Sequence, residues 1–394
     1  MQPQQFDLAI LGGGLAGGLF ALALADARPD LSLALVESTE NFGGNHVWSF
    51  FASDVDEAGR ALTDPMVAHR WPGYDVHFAG HSRGLAMPYR SITSERLDAR
   101  LREVLPSSAL LTDAEVVQAG PTGFSLADGR SFTAGGVIDA RGATSLPHMA
   151  GGWQKFLGQV LKLSAPHGLT RPVVMDARVD QTEGYRFVYC LPFSETDVFV
   201  EDTYYSDSPC FDREALRSRV ADYAGARGWQ VVDAIREETG VLPVVARGDF
   251  EGFWPAGDPL ARLGTRAALF HPLTSYSLPT AVRTALALAK LPDLSGPALA
   301  KASRDIARRH WQSGGTYRML ARMLFGAAAP EARAPILERF YRLSEPLIER
   351  FYAGRTNTAD TLRIMAGKPP VPVMAALAAL TGRGRPLASL EQGV

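Results

Sequence analysis

The stretch FDLAILGGGLAGGL, residues 6–19, decides how this chain folds. Phe6 to Leu11 is a short apolar run that ends in glycines, and residues 15–27 are rich in Leu and Ala with no β-branched residue. That order predicts strand, tight turn, helix. Gly12, Gly14 and Gly17 stand at G-x-G-x-x-G spacing across the turn. The first glycine permits the tight turn, the second lets a pyrophosphate approach the backbone, and the third lets the helix pack on the strand. Leu15 and Ala16, between the second and third glycines, complete the candidate cradle. Pro29 and Asp30 break the helix, and Leu31 to Val36 alternates into a second strand that ends in Glu37. A carboxylate there accepts hydrogen bonds from a ribose 2′-hydroxyl and repels a 2′-phosphate. The opening βαβ unit therefore predicts a site for FAD or NAD, and not for NADP.

Further along the chain, residues 38–90 look loop-rich, with little periodicity. Within them Gly43 to Phe50 is dense in polar and aromatic groups, and His46 could help wall a ligand site. Ser94 to Leu105 has Leu97, Leu101 and Leu105 at helical spacing, with Pro106 as the stop. Short strands follow over 109–140 around the turn Asp128-Gly129. Val137 to Gly142 ends in a small-residue turn of the kind that returns a flavoprotein chain to its cofactor, which makes Asp139, Arg141 and Gly142 candidates. Gly264 to Pro272 suits a third contact, where a turn and a helix N-terminus meet the flavin ring, with His271 and Pro272 as candidates. Three separated pieces on one cofactor favour FAD over NAD.

Between residues 155 and 205 the runs become longer, β-branched and aromatic, which predicts an antiparallel sheet serving as a substrate platform. A helix at 212–227, strand pieces at 229–247 and a helix at 279–290 follow, and from 297 onward the pattern is mostly helical. This divides the chain into a discontinuous cofactor domain (1–55, 90–150 and 260–296), a substrate domain (56–89 and 151–259) and a helical C-terminal region (297–394).

Composition narrows the function. With 46% hydrophobic and 21% charged residues the chain is of ordinary globular type. Its formal charge of −2 supplies no basic field for nucleic acid. Two cysteines, Cys190 and Cys210, make no disulfide framework, and His167 and His271 lack partners at metal-ligand spacing, so no metal is expected. No G-x-S-x-G elbow is present, which argues against a hydrolase. The N-terminus lacks the basic, then apolar, order of a secretory signal. No apolar run reaches the roughly 18 residues that span a bilayer. A cytoplasmic protein with at most peripheral membrane contact is the expectation.

One segment points to acid chemistry. Val198 to Tyr204 carries Glu201 and Asp202 side by side in an otherwise apolar strand. Strand side chains alternate, so only one of the two can face a pocket that Phe199 and Thr203 also line. A carboxyl buried among apolar groups holds its proton to higher pH and becomes a donor. The alternative is a strand-end carboxylate paired with an arginine.

Taken together, eight pieces resemble one family: FDLAILGGGLAGGL, GGNHVWSF, PHGLTRPVVMDARVDQTEGYRFVYCLPF, VEDTYY, LFHPLTSYSLP, YRMLARMLF, RFYAGR and AGKPPVPV, in order from about residue 6 to about 378. The chain resembles the bacterial lycopene β-cyclases of carotenoid biosynthesis. The resemblance implies an α/β fold with a Rossmann-type FAD-binding domain of the FAD-monooxygenase and geranylgeranyl-reductase type. It implies non-redox closure of the ψ-ends of lycopene to β-rings, through γ-carotene to β-carotene, on reduced FAD, with NAD(P)H needed only to reduce the flavin. It also implies peripheral association with the cytoplasmic membrane, where the substrate lives. The family's essential acid, in its E-D-T stretch, falls on Glu201, with Asp202 beside it as the second candidate. In keeping with a membrane site, Tyr317 to Phe325 and Ile336 to Tyr352 interleave Arg with large apolar residues, as helices meeting lipid would. One departure stands out: the family's His-Pro-x-Thr-Gly-Tyr is here His271-Pro272-Leu273-Thr274-Ser275-Tyr276, and serine tolerates positive φ poorly. A flavin monooxygenase or isoprenoid reductase acting on a hydrophobic substrate is the alternative.

Overall fold

A computed structural model describes residues 4–367 and 370–391. Strand β1 (Gln4–Leu11), helix α1 (Leu15–Ala27) and strand β2 (Leu33–Val36) form the opening βαβ unit. The strand β1 lies between β2 and Ser131–Asp139, parallel to both. Leu110–Leu111 continues the sheet beyond β2, while Gly123–Leu126 and Val116–Gly120 extend the other edge as an antiparallel flap. The third glycine does what its spacing implies: a Cβ on Gly17 would lie 2.0 Å from the Gly12 carbonyl oxygen, so only glycine lets α1 sit so close to the turn. Helix α1 is apolar nearly all round because it is buried nearly all round, between this sheet and the helices Ser94–Val104 and Leu278–Ala289.

A second, larger sheet runs in the order Val231–Gly248, Met149–Leu163, Asp197–Ser206, Tyr185–Pro192, Val173–Asp176, Tyr74–Phe78, His81–Leu85. Two expectations need correction here. Residues 38–90 are not mainly loop: Val47–Phe51, Val67–Trp71, Tyr74–Phe78, His81–Leu85 and Tyr89–Thr93 are strands, each too short and too rich in polar residues for its alternation to stand out. The strand pieces at 229–247 are one strand of 18 residues, interrupted by irregularities of register against Met149–Leu163.

The two faces of this larger sheet meet different surroundings. One is covered by the helix Arg213–Ala226, whose Leu216, Val220 and Ala224 pack with Leu157, Leu161, Val188 and Val200. Each such Leu or Val side chain contributes about 1.5–3 kcal/mol by leaving water. The other face looks toward the βαβ unit.

Helices Gly296–Ser313, Gly315–Gly326, Ala334–Phe340, Glu345–Tyr352, Thr358–Met365 and Val373–Leu380 complete the chain. The helices picked out for lipid turn their apolar residues inward. Tyr317, Ala321, Leu324 and Phe325, with Ile348 and Phe351, are buried in the core beside the larger sheet. Among the described residues, exposed large apolar side chains occur further on, at Leu362, Met365, Val373, Met374 and Leu377, as well as earlier at Val117, Val231, Val232 and Ile235. Lys368 and Pro369 of the AGKPPVPV motif lie outside the described residues. Among the described residues no helix is long and apolar enough to cross a membrane.

Candidate functional site

A cavity of about 960 Å³ runs from the glycine turn to the uncovered face of the larger sheet. Its volume is at the top of the range of about 300–1,000 Å³ usual for small-molecule sites.

At one end the lining residues include Gly12, Gly14, Leu15, Ala16, Glu37, Arg141 and Gly142. A Cβ on Gly14 would meet nothing within 4 Å, so the turn is open toward the cavity there. Helix α1 starts at Gly14 with no side-chain cap and no acidic residue in its first turn. Its uncapped backbone N–H groups and positive dipole end suit a phosphate. The Glu37 carboxylate accepts from the Gly13 N–H (2.9 Å) and from the N–H (2.7 Å) and hydroxyl (2.9 Å) of Ser38, which fixes it at the end of β2. This end fits the pyrophosphate and ribose of a dinucleotide such as FAD.

Other expected cofactor contacts act from behind the wall. Gly17 is used up by packing on Gly12. Asp139 does not line the cavity; buried at the end of its strand, it accepts from Arg141 Nε (2.9 Å) and lies 3.3 Å from Arg266 Nε, holding both guanidinium groups in place. His271 and Pro272 are also absent from the lining. His271 is buried, and burial first, then nearby His310, lowers its pKa to about 3, so it is neutral. Its Nδ1 accepts from the Leu273 and Thr274 N–H groups at 3.3 and 3.2 Å, which braces the loop Thr274–Leu278 that does line the cavity. Ser275 takes the positive φ (56°) that a glycine would hold more easily. Its hydroxyl donates to the Pro243 carbonyl at 2.7 Å, a bond no glycine could make, and the loop keeps its place.

At the other end the sheet presents one row of four residues. Tyr189 pairs with Glu201, Glu201 with Gly158, and Gly158 with Glu238, so the four lie level on one face. The row on one side holds Phe187, Thr203, Phe156 and Gly240, and the row on the other begins Leu191, Phe199 and Val160. Glycine in two of these positions makes room for rings. A Cβ on Gly158 would fall 2.4 Å from Phe199, and one on Gly240 would fall 2.5 Å from Phe156. The floor of the cavity is thus two phenyl rings laid across glycines, with a carboxyl group on either side of one of them.

Glu201 is half-buried, and the part left open faces the cavity. Burial raises its pKa to about 7, against a hydrogen bond from the Thr203 hydroxyl (2.6 Å) and with a small push from Asp202. Glu238 is 3% exposed and is pushed well up by burial and then by the Glu201 charge, against the Arg236 guanidinium and the Val47 N–H, which donates to it at 2.7 Å. His46, beside them, has its pKa lowered by burial and then by Arg236.

Asp202, the second candidate acid, is not brought to this cavity. Alternation along the strand sends it to the helix-covered face, fully buried, where Arg186 Nε donates to it at 2.8 Å. Glu238 escaped the reading of the sequence. The signal is present in its strand: Glu238, Gly240, Leu242 and Val244 share one parity, so an inward apolar face continues into an acid, while Glu237 on the other parity pairs with Arg217.

Solved structures with this fold include a geranylgeranyl bacteriochlorophyll reductase-like protein from Thermoplasma acidophilum (TM-score 0.57, 14% identity, 96% of this chain and 99% of that one). The flavin-dependent brominase Bmp2 is similar too (TM-score 0.61, 14% identity, 89% and 94%). The fold is thus that of the FAD-dependent monooxygenases and geranylgeranyl-reductase-like proteins, with mixed α/β sheets and a helical C-terminal region. The sequence profile described as "Lycopene cyclase protein" matches residues 7–378. The chain is 47% identical to a lycopene beta-cyclase of Pseudescherichia vulneris, over 93% of this chain and 95% of that protein. It is 44% identical to one of Pantoea ananas, over 96% and 99%. The chain belongs to the lycopene cyclase family.

Proposed function

We propose that this chain closes the ψ-ends of lycopene into β-rings, by way of γ-carotene, as an isomerising cyclase with no net redox change. The observation that carries the reading is Glu201: a desolvated acid beside an aromatic floor, in a cavity that also opens on a dinucleotide cradle.

Ring closure starts when a proton adds to the terminal double bond of the substrate. The resulting tertiary cation is attacked by the neighbouring double bond, and loss of a proton completes the ring. Glu201 gives the first proton. A pKa near 7 leaves it protonated in a large fraction of molecules at neutral pH, which matches the acid to its task. Phe199 and Phe156 exclude water and face the cation with their π-electrons. FAD would be held by Gly12, Gly14, Leu15, Ala16, Glu37, Arg141, Gly142 and the Thr274–Leu278 loop. When bound and reduced, it supplies an electron-rich, anionic ring system to the cavity. NAD(P)H is assigned only the reduction of that flavin.

We assign the cofactor to segments 1–55, 90–150 and 260–296, the substrate platform to 56–89 and 151–259, and the cover to 297–394. The exposed residues Leu362, Met365, Val373, Met374 and Leu377 make the peripheral membrane contact through which a water-insoluble carotene enters.

The test is the mass of the product from lycopene in liposomes, with FAD and a reductant, anaerobically in heavy water. A product of unchanged skeleton composition that carries deuterium is the expected result, and Glu201→Gln should lower its formation by about 10²-fold or more while FAD still binds. A product that gains two hydrogens, or an oxygen once air is admitted, would move the chain to the reductases or monooxygenases.

A further inference from the structure

The reaction needs a base as well as an acid. We propose that Glu238 is that base: Glu201 and Glu238, on either side of Gly158, work as one proton-sharing pair in which Glu201 gives the proton and Glu238 takes the one the new ring releases. The proposal rests on the cyclase reading for its substrate, but the pair itself stands on the sheet geometry.

Glu201 and Glu238 belong to the two strands that flank Met149–Leu163, and both are registered to Gly158. Two strand spacings separate their backbones by about 10 Å. Both side chains rise from the same face of the sheet and line the same cavity. Among the described residues lining it, Glu37, Glu115, Glu201 and Glu238 are the carboxylic acids, and the first two lie at the βαβ end with Ser38 and Val116.

The surroundings divide the roles. Arg236 and the Val47 N–H both favour negative charge on Glu238, whereas no cation is among the groups that act on Glu201. Arg236 and the Val47 N–H thus draw the charge of a singly protonated pair toward Glu238, against its deeper burial. His46 and Glu95 also neighbour Arg236, and Tyr89, Tyr189 and Thr203 adjoin Glu201; His46 is no stronger base, because it is held neutral next to a guanidinium, and Tyr89 keeps its proton. Once Glu201 has given its proton away, its new charge raises the proton affinity of Glu238. The base becomes strong at the step that needs it.

The step balances. The Glu201 O–H bond breaks and a C–H bond forms from the electron pair of the terminal double bond, leaving a tertiary cation. The second double bond gives its pair to the ring C–C bond. A C–H bond next to the displaced cation then breaks, its pair becomes the ring double bond, and the proton passes to a Glu238 oxygen. Transfer from Glu238 back to Glu201 resets the pair, with no atom gained or lost.

Two measurements test this. In heavy water with reduced, FAD-loaded protein, Glu201→Gln should form no ring and leave recovered lycopene free of deuterium. Glu238→Gln should slow ring formation by about 100-fold or more, yet still place deuterium in recovered lycopene, because protonation proceeds and reverses. Glu238→Asp should regain part of the rate. Ring formation at the wild-type rate in Glu238→Gln, or loss of deuterium exchange along with cyclisation, would overturn the assignment. Infrared titration of carboxyl C=O bands in protein labelled with ¹³C-glutamate, without cofactor, tests the pair independently. Glu238→Gln should lower the Glu201 midpoint by about one pH unit or more, and an unmoved midpoint overturns the pairing. If wild-type protein neither cyclises nor labels lycopene, the substrate reading fails, and the infrared result alone decides the pair.

Discussion

Asp202 and Glu201 are neighbours in one strand and burial raises both carboxyls, yet only Asp202 is met by an arginine. On the helix-covered face, buried acids meet arginines: Asp202 with Arg186, and Asp176 with Arg178 and Arg227, at 2.7–2.8 Å. On the cavity face, half-buried Glu201 and buried Glu238 form no ion pair among the described residues, and only Glu238 feels an arginine, Arg236. Burial raises every carboxyl it surrounds, and the partners decide how far that is offset. For Asp176, burial is outweighed by Arg178, Tyr223 and the Arg178 N–H, and the pKa falls to about 2. For Glu201 nothing comparable offsets it, and the pKa stands at about 7. On the covered face the acids tie neighbouring segments together, Asp202 to the strand of Arg186 and Asp176 to Tyr223 and Arg227 at the end of helix Arg213–Ala226, and on the cavity face they are left without such partners.

The largest effect should come from stranding a charge on the covered face. Asp202→Ala leaves the Arg186 guanidinium, itself nearly buried, without its carboxylate. Breaking a buried pair in this way costs about 3–5 kcal/mol. Replacing both residues together, Asp202→Leu with Arg186→Met, should restore most of that loss in a urea titration. Cyclisation per folded molecule should stay within about twofold of wild type in the double variant, as acid–base groups alone carry the large rate factors. A large fall there would mean that the two faces are not separate.

How much of this was legible beforehand follows from what each element exposes to a one-dimensional reading. The βαβ unit was legible because its turn chemistry, helix composition and terminal acid are local and agree with one another. The alternation that put Glu201 and Asp202 on opposite faces was legible too, and it was the adjacency of the two acids that drew Asp202 into the site. Glu238 was hidden because its partner is 37 residues away in another strand, and registers of non-local strands leave no mark on spacing. His271 was misplaced for a related reason: a buried histidine that braces a loop and one that touches a ligand have the same neighbours in sequence, and only the bonds to Leu273 and Thr274 tell them apart. The apolar residues of Tyr317 to Phe325 read as lipid-facing because the sheet edge they cover is itself built from distant segments.

A middle-sized effect sharpens the contrast in acid. Asp176 is held below its unfolded value, so its contribution is present above about pH 4 and is lost as pH falls toward 2. Asp176→Asn should therefore cost about 2 kcal/mol at neutral pH. In denaturant titrations the gap between the two proteins should close between pH 4 and 2. A gap independent of pH would mean that the arginines hold the helix by packing alone.

The smallest effect has the opposite sign. Glu201 is raised above its unfolded value, so the folded protein binds a proton there that the unfolded chain has already released. Stability from that proton is fully present below about pH 4.5 and is lost as pH rises through about 7. A glutamine keeps the shape and carries no charge to desolvate. Glu201→Gln should match wild type in melting temperature at pH 4.5 and exceed it above pH 8, by about 3 kcal/mol in stability were the carboxyl fully buried and by about 1 with its open side solvated. That gain in stability at the expense of the reaction is the signature of an acid kept unpaired for chemistry. If Glu201→Gln instead melts earlier than wild type across the whole range, Glu201 is a structural acid like those of the other face, and the comparison between the faces collapses.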